Sequence, residues 1–160
     1  MKRPIAIALI TLLALGGMGM ASKPKAPPAP PPVVDQVAAN KKLVLDMYQM
    51  LFVEHKVDQA IDTYFDPNYI QHNPMAASGA ETIRKLFGGM YKQMPTATGE
   101  VKRIICEGDL CAVHSHSISK PGDRGVAVVD IFRIANGKIA EHWDVVQPVP
   151  EKSANTNTMF

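Results

Sequence analysis

The sequence predicts an α+β domain, with three N-terminal helices packed on a curved, mostly antiparallel sheet. Three observations carry this. Between residues 34 and 91 the apolar side chains recur at helical spacing; after Pro95 the period changes to two. The strand-like runs are joined by short turn signals, Gly108-Asp109 and Asn136-Gly137, with no room for crossover helices. A curved sheet wrapped around helices encloses a cone with an internal pocket.

The chain opens with the three parts of a secretory signal, so residues 1–21 are expected to be a signal peptide. Lys2 and Arg3 give a positive start, Ile5 to Leu15 a short apolar run, and Gly19-Met20-Ala21 the small residues before a cleavage site. The apolar run is shorter than the roughly 20 residues a spanning helix needs, so no stable membrane insertion is expected after cleavage. Residues 22–33 contain Lys-Pro-Lys-Ala-Pro-Pro-Ala-Pro-Pro-Pro, a polyproline-type linker. The domain is expected over 34–150, and the polar residues 151–160 are expected to be a frayed, disordered tail. The whole would be exported, to the periplasm or beyond.

Within the domain, Val34 to Val53 reads as a helix with Val37, Lys41, Val44, Tyr48 and Leu51 on one stripe. Asp58 to Phe65 is a second, shorter helix, stopped before Asp66-Pro67. Tyr69 to His72 is a short extended piece ended by Asn73-Pro74. Ser78, with Glu81 three residues on, has the pattern of a capping box opening a third helix. Four strands follow: Val101 to the Gly108-Asp109 turn, Leu110 to Ser119, Val126 to Ile134, and Lys138 to Gln147. Asn136-Gly137 is the residue pair a type I′ hairpin turn favours.

If Gly108-Asp109 is a two-residue turn, Cys106 faces Cys111 at a non-hydrogen-bonded position, where a cross-strand disulfide is feasible. An export compartment favours closing it, and two packed thiols are the alternative. Charge excludes another class of partner. The chain has 17 basic and 15 acidic residues, and removing Lys2 and Arg3 leaves 15 against 15. A balanced domain has no electrostatic footprint for nucleic acid.

Strand alternation sorts the chemistry-bearing residues by face. His142 and Asp144 share one face of the last strand; Glu141, Trp143 and Val145 share the other. Asp130 stands among Val126, Val128, Phe132 and Ile134 of its own parity. A carboxylate among valines and a phenylalanine needs a partner, and His142 and Asp144 would supply one from the neighbouring strand. A satisfied structural role for Asp130 is the plain alternative. His114 and His116 share a face with Ala112 and could hold a metal with a carboxylate, or stand half-exposed on a strand. His72 precedes Asn73-Pro74, where a loop lip over a pocket would place both; His55 follows a helix and is expected on the surface.

These residues also resemble a known family. Tyr-Ile-Gln-His-Asn-Pro (69–74), Glu-Gly-Asp-Leu (107–110) and above all Val128 to Pro150, VVDIFRIANGKIAEHWDVVQPVP, are similar to the SnoaL-like proteins. These are polyketide-cyclase relatives in the nuclear transport factor 2-like superfamily. The resemblance covers residues 34–150 and implies the α+β cone, a small-molecule ligand and a homodimer through the outer sheet face. It implies that Asp144 is the general acid/base of an aldol-type cyclisation. The histidine of those cyclases on the preceding strand falls at Asp130, a departure, and His142 or His116 would then supply the imidazole. An early-loop asparagine of the cyclases falls near Gln71 to Asn73.

The function expected is acid/base catalysis of proton transfer α to a carbonyl, giving an aldol, a cyclised product or an isomer. Asp144, His142 and Asp130 are the expected catalytic residues; His72, Asn73, His116 and Phe132 are the expected substrate contacts. The scheme needs no cofactor and no metal. The alternative from another class is a non-catalytic periplasmic binding module for a small apolar ligand, with a metal-dependent hydrolase using His114 and His116 behind both.

Overall fold

The structure, a computed structural model, describes residues 33–160. The expected signal peptide and the proline-rich linker lie outside the described residues, save Val33, which begins the first helix. Helix α1 runs Val33–Tyr48 and passes directly into a π-helical turn, Gln49–Val53. Helix α2 is Val57–Tyr64 and α3 is Ala80–Gln93. The strands are β1 Phe65–Gln71, β2 Thr98–Glu107, β3 Leu110–Ile118, β4 Val126–Ala135 and β5 Lys138–Pro148. They form one sheet in the order β1-β5-β4-β3-β2. The expected α+β order is therefore observed, and the short extended piece at Tyr69 proves to be part of a fifth strand. It pairs parallel to β5, while β2 to β5 form the antiparallel meander.

The helices cover one face of the sheet. Val44, Met47 and Leu51 pack with Ile61, Ile83, Val113, Phe132 and Ile139 into a single core. Two bulges keep that face apolar where simple alternation would break it. The β4/β5 register shifts between Arg133 and Ile134, so Ile139 and His142 both point inward although their numbers differ in parity. The β2/β3 register shifts between Val101 and Arg103, which lets Val101 and Ile104 both join the core. Each bulge inserts one unpaired residue and reverses the facing beyond it.

The turns match their residues. Asn136 and Gly137 take φ of 52° and 71°, as a type I′ turn requires. Glu107 pairs with Leu110 and Cys106 with Cys111, and the two sulfurs are joined as a disulfide. The Ser78 capping box is not formed. Gly79, with φ of 100°, occupies the cap position; the Ser78 hydroxyl instead accepts from the Gln71 backbone N–H, and Glu81 pairs with Arg84. The third helix is thus started by a glycine, and its serine is spent on tying the helix entry to β1. His55 is half-buried rather than on the surface, stacked on Tyr91 with ring centroids 3.8 Å apart. The tail, expected to fray, ends in a contact: Phe160 stacks on His116 at 4.2 Å, with Lys102 over its ring. Among the described residues no helix is long and apolar enough to cross a membrane.

Candidate functional site

Between the helices and the concave sheet face lies a cavity of about 560 Å³. Met47, Leu51, Phe52, Phe87 and Met90 supply much of its apolar lining, and its polar groups converge from β1, β4 and β5. Asp130 and Asp144 are Cα partners across β4/β5, and His142 pairs with Phe132 one step away on the same inner face. The facing argument from alternation therefore places all three in the cavity wall. Asp130 and His142 are buried.

Their protons are fixed by what surrounds them. Gln71 Oε1 accepts from the Asn73 backbone N–H, and Gln71 Nε2 donates to the Tyr69 hydroxyl, so the orientation of the amide follows from two partners. His142 Nδ1 lies 2.9 Å from that same Oε1, an atom that only accepts, so Nδ1 carries a hydrogen. His142 Nε2 lies 2.9 Å from Asp130 Oδ1. One proton is shared across that contact, whether written as imidazolium and carboxylate or as imidazole and carboxylic acid. The Tyr48 hydroxyl donates to the other oxygen, Asp130 Oδ2, and sits 3.2 Å from the Ser115 hydroxyl. Burial first, and then the Asp130 charge and hydrogen bond, hold the Tyr48 hydroxyl well above the ordinary phenol value, so it stays neutral and donating.

Asp144 is held differently. The Asn73 side-chain amide donates to both of its carboxylate oxygens, at 2.8 and 2.7 Å. Asn73 Oδ1 in turn accepts from the Met75 backbone N–H, which orients the amide toward Asp144. Phe132 stacks on the His142 ring at 4.9 Å and keeps it aligned. Each of Asp130, His142 and Asp144 offers an atom within 4.8 Å of the others. Among the described residues these three could together hold a cation, but their atoms are already engaged by Tyr48, Gln71 and Asn73.

Of the seven expected site residues, five meet here: Asp130, His142, Asp144, Asn73 and Phe132. Two do not. His116 lies on the outer face of β3, its Nε2 2.8 Å from the Arg124 carbonyl and its ring against Phe160. His114 is beside it, with Nδ1 2.6 Å from Arg103 Nη1. Inward places on β3 go instead to Cys111, Val113 and Ser115, all fully buried, so neither histidine supplies the pocket imidazole. His72 has turned outward as well, stacked on Trp143 at 4.5 Å and 2.7 Å from Glu141. Glu141 also takes Arg133 at 2.6 Å, and His72 and Arg133 together hold its carboxyl below the ordinary value. Tyr48 was not expected to touch the site, and Gln71 entered the expectation only as one end of the span, Gln71 to Asn73, where the early-loop asparagine falls. Tyr48 read as one more apolar position of a helical stripe, and only its hydroxyl distinguishes it from the core residues beside it.

Comparison with known proteins agrees with this architecture. The SnoaL-like domain family matches residues 44–142, more than half of the chain. No curated protein matches the sequence. Among solved structures, a Bacillus cereus protein named "putative polyketide cyclase" is 16% identical, with 70% of this chain and 76% of that one covered and a TM-score of 0.60. A Kribbella flavida protein named "putative ketosteroid isomerase" is 13% identical, with 75% and 86% covered and a TM-score of 0.60. An NTF-2 like protein of Burkholderia xenovorans is 23% identical, with 73% and 89% covered and a TM-score of 0.58. At these identities the likeness is one of fold.

Proposed function

The chain belongs to the SnoaL-like domain family, and we propose that it is a small-molecule enzyme that moves a proton α to a carbonyl group. The observation that carries this is the opposition of two differently prepared groups in one apolar cavity. Asp144 is oriented by Asn73, and the His142–Asp130 pair shares a proton within 4.8 Å of it. Asp144 takes the α-proton. The carbonyl oxygen, gaining charge as the enolate forms, competes with Asp130 for the hydrogen on His142 Nε2 and shares it in a three-centre contact, while Gln71 keeps the imidazole in place. The enolate then attacks a second carbonyl, as in an aldol cyclisation, or is reprotonated at another carbon as an isomer. The names carried by the structural neighbours, polyketide cyclase and ketosteroid isomerase, describe reactions of this type.

The test is exchange of α-hydrogens of a fused-ring cyclic ketone for deuterium in D₂O, followed by NMR. The wild type is expected to accelerate exchange, and Asp144→Asn to lower the rate by about 10²-fold or more. An unchanged rate in Asp144→Asn would reject Asp144 as the base. The second reading is a binding module. It is favoured by the completeness of the network, since among the described residues no buried side-chain nitrogen or oxygen lacks a partner. It predicts ligand binding with no exchange at all.

Two further expectations belong to the same proposal. Export is supported by the Lys2-Arg3 start and the apolar run that follows, and N-terminal sequencing of the mature protein tests it. A homodimer through the outer sheet face is supported by the exposed apolar side chains there, among them Ile105, Val129, Ile131 and Val145. Light scattering at micromolar concentration tests that pairing.

A further inference from the structure

Among the described residues, the cavity wall contains no lysine and no arginine. Its ionisable groups are Asp123, Asp130, Asp144, His142 and the tyrosines. Asp130 and His142 compensate one another. Asp144 is met only by an amide, and Asp123 only by the Ser119 hydroxyl and the backbone amides of Ser119 and Gly125. Those hydrogen bonds, the Ser119 hydroxyl foremost, hold Asp123 down at about 2, with Lys120 the least of the influences on it, so it is ionised at neutral pH. The cavity thus carries two carboxylates with no cationic side chain among the described residues of its wall to offset them.

The two lie at opposite ends. Asp144 pairs with Asp130, whereas Asp123 belongs to the loop that precedes Val126. From Asp130 to Val126 is four residues of extended strand, roughly 13 Å at ~3.3 Å per residue. Val126, Val128 and Val146 form the wall between, with Phe87, Met90 and Met94 contributed by α3 and the residue after it. An elongated apolar body fills such a space with one end at Asp144 and the other at Asp123. An anionic group entering it would lose hydration and meet like charge with nothing to repay either loss.

Resting on the reading of this cavity as the ligand site, we propose that it selects by charge. It takes a flat apolar ligand whose far end bears a protonated amine docked at Asp123, and it rejects anions. Asp123 is then a specificity residue remote from the reacting atoms, and Ser119 the hydroxyl that orients it.

Three probes of matched shape test this with the full-length mature protein: naphthylethylamine, naphthylethanol and naphthylacetate, titrated by calorimetry at neutral pH. The amine is expected to bind most tightly and the acetate at least about tenfold more weakly, a ratio within reach of one charge contact near a protein surface. In Asp123→Asn, which keeps an acceptor for the Gly125 amide, the amine should fall to within about twofold of the alcohol while the alcohol is unchanged. Should that variant not fold, the wild type gives the same answer through salt: amine affinity should fall with ionic strength and alcohol affinity should not. Acetate binding as tightly as the amine, no binding of the amine, or an amine preference that survives the loss of Asp123 charge would each overturn the proposal. The readout is independent of turnover. The charge ranking without α-exchange would sink only the catalytic reading, and exchange by a protein that binds the acetate equally well would sink only the charge filter.

Discussion

Replacing Tyr48 by phenylalanine removes one oxygen from the buried end of the cavity and leaves Asp130 Oδ2 and Ser115 without that partner. An unpaired buried acceptor costs about 1–3 kcal/mol, so Tyr48→Phe should lower the unfolding free energy by that amount in a denaturant titration. It should also slow α-exchange, because the carboxylate that shares its proton with His142 is no longer fixed. The contrast between Tyr48 and Asp130 shows what was legible one residue at a time. A carboxylate among valines is an anomaly that demands a partner, and the residue two positions short of Asp144 is a histidine of the same parity; those facts place Asp130, His142 and Asp144 together without coordinates. A tyrosine on an apolar helical stripe is no anomaly, because core and pocket positions there look the same. His116 was misplaced although a signal existed, since Cys111, Val113 and Ser115 are the small and apolar set of β3. His72 could not be placed, because its direction depends on the parallel pairing of β1 with β5.

At the scale of elements, helix and strand periods were legible, and the irregularities that aim the site were not. The π-helical turn after Tyr48 and the bulges near Lys102 and Ala140 each add one residue to a regular repeat, and each changes which side chains face inward. The loop before β4 makes a sharper demand. Gly125 has φ of 71°, and a Cβ built there would stand 2.2 Å from the Ser117 carbonyl oxygen and 2.9 Å from His116 Nε2. Neither the left-handed backbone nor the carbonyl can yield cheaply, so Gly125→Ala should destabilise the domain by more than about 1 kcal/mol, read as a fall in the urea midpoint. The same change should shift the Gly125 amide from Asp123 and weaken binding of naphthylethylamine. The β2/β3 hairpin calls for less. Its disulfide closes a loop so short that reducing it is expected to cost no more than about 2 kcal/mol on the chain-entropy estimate. Asn40, which donates to the Gly108 carbonyl at 3.0 Å, ties the same turn to α1 without any disulfide.

For the whole molecule, the groups that depart from their ordinary titration define a stability profile with two edges. On the acid side Asp123 and Glu141 are held low by hydrogen bonds and ion pairs, as are Glu54 and Glu100 by Lys56 and Lys102. A carboxyl with a depressed folded-state value binds protons more readily in the unfolded chain. Its contribution is complete above the ordinary carboxylate range and is lost as pH falls through the folded value, which for Asp123 is about 2. On the alkaline side Tyr48, Tyr69 and Tyr91 are raised, in each case chiefly by burial. There the unfolded chain releases protons first. The stabilisation is complete below the ordinary phenol value of about 10 and is lost above it. Thermal unfolding followed across pH should therefore show a plateau between about 5 and 9, an acid fall below about 4.5 and an alkaline fall above about 10. Tyr48→Phe should make the alkaline fall shallower, because one of the three raised phenols is gone. An alkaline edge that is unmoved in Tyr48→Phe would mean that this hydroxyl does not sit neutral beside Asp130, and the proton arrangement drawn for the His142–Asp130 pair would fall with it.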